Sequence, residues 1–179
     1  MLGAISGARL EPLYLFMLGT GMREGECLGL TLEDLDLQNW RIFIRRTLER
    51  DQQRNYQLVA MAKNKTSYRD VHLPASIVSK LEKWLERRED EKKAAKEEWT
   101  DEWGLLFVTP SGRPLHRSTV LHDFQRLTIK AGLPRKSLYN LRHSHASLNP
   151  RRRDAHGCEG AAGPLANPHD GKRVRPPLR

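Results

Sequence analysis

The sequence predicts an α+β fold that is mainly helical, with helices around a small three-stranded antiparallel sheet. Two observations support this prediction. Apolar residues recur at helical spacing in residues 76–99 and 116–131. Residues 40–46 largely alternate apolar and basic side chains, as in a strand with one buried face. A chain of 179 residues is long enough for one domain with a real core and too short for two large domains.

Charge and cysteine content limit the partners and the compartment. The formal net charge of +9 favours a polyanionic partner, nucleic acid before an acidic membrane surface, although a soluble protein can also simply be basic. The two cysteines, Cys27 and Cys158, have no zinc-site spacing to histidine, so we expect a reducing cytoplasm and no structural metal. No apolar run is long enough to span a bilayer, and residues 1–10 lack a signal-peptide pattern, so no membrane partner is expected.

The amino-terminal part predicts two helices that meet at glycines. Residues 1–9 are expected to fray, and the apolar residues 10–18 predict a buried helix that ends at residues 19–21. Residues 24–30 predict a short second helix, with Arg23 at its start. This position places a guanidinium and the positive end of a helix at one spot, which suits a phosphate. The alternative is a solvated surface arginine.

Glu26 follows Arg23 by three positions and has two possible roles. It is either an exposed acid on the helix surface or a support that holds the Arg23 fork, so that its donors meet two phosphate oxygens. The sequence leaves both open.

The middle of the chain predicts three strands, at residues 40–46, 56–61 and 69–73. The turn at residues 64–67 joins the last two and places lysines at a hairpin tip. Lysines on an exposed turn usually serve solubility. Alternatively, such a hairpin inserts a lysine into a DNA groove beside the phosphate that is cut.

The remaining elements are predicted to be helices around a short buried segment at residues 105–108. Residues 76–99 form a charged helix with an apolar stripe, whose second half, residues 88–98, is expected to be solvated. The helix at residues 116–131 ends at Gly132, and its basic residues face either a DNA backbone or water. The last helix, residues 138–148, carries Arg142. Besides Arg142, these two helices carry the basic residues Arg117, Arg126, Lys130, His143 and His145. The two histidines are expected to be hydrogen-bonded packing residues.

Three stretches, in this order, resemble the catalytic domain of the tyrosine recombinases, the phage integrase family: residues 19–30, 62–74 and 137–148. The resemblance covers roughly residues 10–148 and implies the DNA breaking-rejoining catalytic-domain fold. It also implies site-specific recombination or integration on double-stranded DNA, as in phages and mobile elements. In this family a tyrosine hydroxyl attacks a phosphodiester, and neither a metal nor a nucleotide cofactor is needed.

The resemblance also implies roles for individual residues. Arg23 and Arg142 match the two arginines that neutralise charge on the phosphate in the transition state, and Lys63 matches the general acid for the leaving 5′-oxygen. Alignment on the Arg-x-Val-x-Leu-Pro pattern that follows favours Lys63 over Lys65. Tyr139 stands where the family usually has the histidine of a His-x-x-Arg pattern. Apart from these roles, Lys65 and Arg69 are candidates for DNA contacts, and DNA binding is the alternative to packing for His143 and His145.

The family pattern stops after residue 148. Residues 149–179 are rich in Pro, Gly and Arg and contain no Phe, Trp or Tyr, so this tail is expected to be disordered and unrelated to the family. Relatives carry a Leu-Gly-His pattern and the nucleophilic tyrosine here, whereas all four tyrosines of this chain lie before residue 140. We interpret residues 10–148 as a partial catalytic domain and hypothesise a frameshifted end. The chain is then expected to bind DNA as a monomer without cutting it, whereas full-length relatives assemble on DNA.

Two other functions are compatible with the composition. A basic DNA-binding protein with no catalytic ancestry accounts for the charge, but leaves the order and neighbours of the three cationic residues unexplained. A fragment that competes with an intact integrase for its sites is the other possibility, and no residue argues for it.

Overall fold

The computed structural model describes residues 2–61 and 69–148. The α-helices of these residues are α1 (Leu2–Ile5), α2 (Glu11–Thr20), α3 (Glu24–Leu28), α4 (Ala75–Ala95), α5 (Arg117–Lys130) and α6 (Tyr139–Leu148). The strands are β1 (Leu35–Asp36), β2 (Arg41–Ile44), β3 (Arg46–Arg50), β4 (Tyr56–Ala60) and β5 (Arg69–His72). Short 3-10 turns lie at Leu32–Asp34 and Lys96–Glu98. The fold is mixed helix and sheet and mainly helical, as the sequence predicts.

The strands form two small antiparallel sheets. In the first, β2 lies between β1 and β5; in the second, β3 pairs with β4. The sequence predicts one sheet from three strands, but the strand predicted at residues 40–46 breaks at Arg45. Its first part pairs with β5 and its continuation with β4. The third strand of the first sheet is β1. It has only two residues, too few for an alternating pattern that would predict a strand.

The core is built around α2. Leu13, Tyr14 and Phe16 are fully buried, because this helix is surrounded by α4, α6 and the segment 105–108. Every residue of that segment is buried, as predicted. The Trp84 indole N–H donates a hydrogen bond to the Leu106 carbonyl oxygen at 2.8 Å, which joins α4 to the segment.

Two features differ from the sequence-based predictions. Residues 1–9 are predicted to fray, yet α1 forms there and Ile5 is fully buried against the core, because α5 offers it an apolar surface. Residues 88–98 are predicted to be solvated, yet Arg88 is only 3% exposed. Its guanidinium bonds the Asp101 carboxylate and the Leu105 carbonyl, which a mixed-charge run does not reveal.

Some predictions fall outside the described residues. These are the lysine turn with Lys63 and Lys65, and the tail at residues 149–179. Within residues 2–61 and 69–148, none of the helices combines the length and the apolar character needed to cross a membrane.

Candidate active site

The site begins at the junction between α2 and α3. Helix α2 ends at Thr20 and is capped by Gly21, which adopts φ 65° and donates its N–H to the Met17 carbonyl at 3.0 Å. This left-handed conformation favours glycine. Space gives a second reason, since a Cβ at Gly21 would lie 2.6 Å from Cδ2 of His145 on α6. Gly21 therefore ends α2, lets α6 approach, and leads the chain to Arg23 at the start of α3.

Glu26 holds Arg23 in place. Its Oε1 accepts from Arg23 Nη1 at 2.9 Å, and its Oε2 accepts from the Arg23 backbone N–H at 2.9 Å. Oε2 also accepts from Arg69 Nη2 at 2.8 Å. The Glu26 side chain is 2% exposed, which excludes the exposed-acid alternative, whereas the Arg23 side chain is 64% exposed. The carboxylate thus fixes one side of the Arg23 fork and leaves the rest of it open to solvent.

The pKa of Glu26 reflects this arrangement. Burial raises the pKa, but the hydrogen bonds from Arg69 and Arg23 outweigh it, and the net pKa lies below the ordinary value. The carboxylate is therefore ionised at neutral pH and can hold both guanidiniums.

Arg142 reaches the same junction from α6. Its Nη1 donates to the Gly21 carbonyl oxygen, at the end of α2. Arg142, Arg23 and Tyr139 line one cavity of about 660 Å³. Tyr139 is 62% exposed and meets the His143 ring edge-on, with 4.3 Å between ring centroids. The structure therefore brings the two arginines singled out in the sequence, and Tyr139, to one cavity.

A second cavity, of about 630 Å³, shares Arg23 with the first. Its wall includes Arg23, Thr47 of β3 and Met61. Met61 directly precedes the segment 62–68 that carries Lys63. Arg23 thus lines both the cavity that contains Arg142 and a cavity bordered by Met61.

Two residues expected to contact DNA have contacts inside the protein. Arg69 is 26% exposed and bonds Glu26, so it supports the base of the Arg23 site. His145 donates from Nδ1 to the Leu18 carbonyl at 3.0 Å and packs on Gly21, in line with the packing role expected for it. DNA contacts of Arg69, His143 and His145 remain predictions.

Glu24 is a residue of the site that the sequence-based prediction missed. Its side chain is 11% exposed, and its Oε2 accepts from Arg117 Nε at 2.5 Å. Burial raises the pKa of Glu24, more than Arg117 lowers it. Glu24 and Arg117 line both cavities. They are far apart in the chain, so no spacing pattern could have paired them. In the part of the chain that the structure describes, no three His, Cys, Asp or Glu side chains group as ligands for a metal ion.

The fold and the two converging arginines agree with the family match. Residues 4–149 match the model of the phage integrase family, and the chain belongs to this family. A similar curated protein is a XerC-like tyrosine recombinase of Caldanaerobacter subterraneus subsp. tengcongensis, 30% identical over 153 residues. The match covers 80% of this chain and 39% of that protein, so the chain spans about two fifths of this relative.

Solved structures show the same fold. The Tn1549 transposon integrase in complex with transposon right end DNA matches with a TM-score of 0.70 and 22% identity, over 84% of this chain and 50% of that chain. XerH recombinase bound to palindromic difH substrate matches with a TM-score of 0.58 and 28% identity, over 86% of this chain and 40% of that chain. The predicted family and fold class are confirmed.

Proposed function

We propose that this chain carries the phosphate-binding half of a site for DNA recombination or integration by phosphodiester transesterification. The observation that carries the proposal is that Arg23 and Arg142, from distant parts of the sequence, line one cavity. Each is held by an acceptor within the fold, Arg23 by Glu26 and Arg142 by the Gly21 carbonyl.

The chemistry follows from charge. During transesterification the non-bridging oxygens of the phosphate gain negative charge, and two preorganised guanidiniums neutralise it without a metal. The Tyr139 hydroxyl, at the same cavity, can donate a hydrogen bond to a phosphate oxygen. Lys63 would protonate the leaving 5′-oxygen, and the same amine would accept that proton when the strand is rejoined.

We further propose that the attacking tyrosine is not among the four tyrosines of this chain. The Tyr14 hydroxyl is buried and donates to Asp123 at 2.8 Å, and burial raises its pKa, which makes it a poor nucleophile. Tyr139 precedes Arg142 by less than one helical turn. The chain is therefore expected to bind double-stranded DNA, as a monomer, without forming a covalent adduct on a suicide substrate.

Strand joining can be measured without a protein nucleophile. The probe is a pool of nicked duplexes with randomised flanks. At the nick, one end of the broken strand carries a 3′-p-nitrophenyl phosphate and the adjoining end carries a 5′-hydroxyl. The 5′-oxygen attacks phosphorus, the bond to the aryl oxygen breaks, and p-nitrophenolate leaves. We expect ligated strands, and sequencing of the junctions will show the preferred flanks. Arg142→Ala and Arg23→Ala should each slow ligation by ~10²–10³, and Lys63→Ala should slow it as well.

Arg126→Ala is the matched control. Arg126 is 75% exposed on α5 and pairs with Asp123, away from the cavity, so its loss should leave ligation nearly unchanged. Ligation no faster than without protein, from a chain that binds the same pool, would contradict the proposal. That result would favour the alternative, a non-enzymatic basic DNA-binding protein, which the net charge of +9 supports.

A further inference from the structure

Arg117, at the start of α5, is a cationic side chain to which the proposed chemistry assigns no role. It lines both cavities beside Arg23, and its side chain is 76% exposed. From the sequence alone, the Arg117 side chain is equally expected to face a DNA backbone or water. Arg117 lines the same cavity wall as Arg23 and Arg142. Arg126 lies on the same helix but lines neither cavity.

Arg117 is anchored through one edge only. Its Nε donates to Glu24 Oε2 at 2.5 Å, and its two terminal amino groups have no hydrogen-bond partner among the described residues. Those two groups form the part of a guanidinium that can bond two phosphate oxygens at once. The anchoring therefore orients the side chain and leaves a phosphate-binding edge open.

The arrangement repeats that of Arg23. Both glutamates lie in the first turn of α3, and both are largely buried, with 11% exposure for Glu24 and 2% for Glu26. Each accepts from one exposed arginine. Glu24 Oε1 has no hydrogen-bond partner among the described residues. A buried, half-satisfied carboxylate opposes folding, so its attachment to Arg117 is not explained by stability alone.

We propose that Arg117 binds a DNA backbone phosphate as a third guanidinium of this wall, and that Glu24 is its positioning residue. The inference rests on the proposed function, since it assumes that DNA lies over the cavity of Arg23 and Arg142.

The test is the salt dependence of binding to a fluorescein-labelled duplex of about 30 base pairs, between about 50 and 200 mM salt. Arg117→Ala should weaken binding several-fold and reduce the slope of log K against log salt by about 1. Arg117→Lys, which keeps the charge, should restore the slope. Arg126→Ala, which removes an equally exposed and paired arginine from the same helix, should leave the slope unchanged.

Alanine at position 117 leaves the Glu24 carboxylate without its cation and can unfold the chain. The double variant Glu24→Gln/Arg117→Ala removes both charges, and its slope should be lower than that of Glu24→Gln by about 1. Equal slopes in that comparison, or an equal loss in Arg126→Ala, would overturn the inference. If Arg142→Ala loses ligation while the salt slope of Arg117→Ala equals that of the wild type, only this inference fails. If Arg142→Ala and Arg23→Ala ligate like Arg126→Ala, the proposed function fails.

Discussion

At the scale of single residues, two glutamates in one helical turn behave in opposite ways. Glu26 accepts hydrogen bonds from Arg23 and Arg69, and its pKa is lowered; Glu24 accepts from Arg117 alone, and burial raises its pKa. The difference comes from the number of donors that the fold brings to each carboxylate. Glu26 therefore stabilises the fold in its ionised form and fixes Arg23 at the same time.

Replacing Glu26 tests this role. Glu26→Gln should lower the free energy of unfolding at pH 7 by about 1.5–3 kcal/mol, because hydrogen bonds to charged groups are lost. The folded-state pKa lies below the ordinary value of 4.5, so the ionised carboxylate stabilises fully above pH 4.5 and less as pH falls through the lowered pKa. The gap between wild type and variant, measured by urea unfolding, should narrow below pH 4.5.

Glu33→Gln is the matched control, since Glu33 is exposed in the next turn of the chain. It should change stability little at any pH. A Glu26→Gln gap that is constant or widens in acid would show that the carboxylate is not held as its charged form.

At the scale of elements, the position of α3 depends on close packing against β3. A Cβ at Gly29 would lie 2.7 Å from the Leu48 backbone nitrogen and 2.8 Å from the Thr47 carbonyl carbon. A Cβ at Gly25 would meet only the Thr47 hydroxyl closely, at 2.6 Å. Backbone atoms of a paired strand cannot move aside, whereas a hydroxyl can turn. Gly29 thus sets the distance between α3 and the β3–β4 sheet.

Alanine substitutions at these two glycines should therefore differ. Gly29→Ala should cost about 1–3 kcal/mol of stability through overpacking. It should also slow ligation in the nicked-duplex assay, since a shift of α3 moves Arg23. Gly25→Ala should change stability by less than about 1 kcal/mol, because alanine favours a helix. Thermal unfolding of both variants checks this, and equal losses would mean that α3 is not held by backbone contact with β3.

At the scale of the whole molecule, Arg88 joins parts of the chain that no local pattern connects. Its guanidinium bonds Asp101, which is itself 6% exposed, and the Leu105 carbonyl at 3.2 Å, and it lies 5.3 Å from the Trp99 ring centre. Leu106, next in the chain, donates its N–H to the Leu30 carbonyl just after α3. The long helix α4 is thereby tied, through the buried segment 105–108, to the region that carries Arg23.

Removing Arg88 should weaken the whole domain. Arg88→Ala leaves the Asp101 carboxylate buried without its partner, which typically costs about 3–5 kcal/mol. Arg87→Ala is the neighbouring control, because Arg87 is 50% exposed and pairs with Glu91 on the surface. It should cost no more than about 1 kcal/mol. Urea unfolding gives both values, and similar losses would show that the Arg88 pair adds nothing beyond a surface ion pair.

Local periodicity in the sequence predicted the mainly helical α+β class, and motifs of adjacent residues predicted the family; both predictions are confirmed. The same resemblance singled out Arg23 and Arg142, whose catalytic role stays a prediction. Residue spacing also gave Glu26 a possible partner three positions away. Tertiary structure alone decided that Glu26 is buried and shared with Arg69, that Glu24 meets Arg117, that Arg88 lies in the core, and that the strand at residues 40–46 serves two sheets. These features depend on which surfaces come into contact when distant segments pack. Burial, pKa values and ion pairs are set by those tertiary contacts.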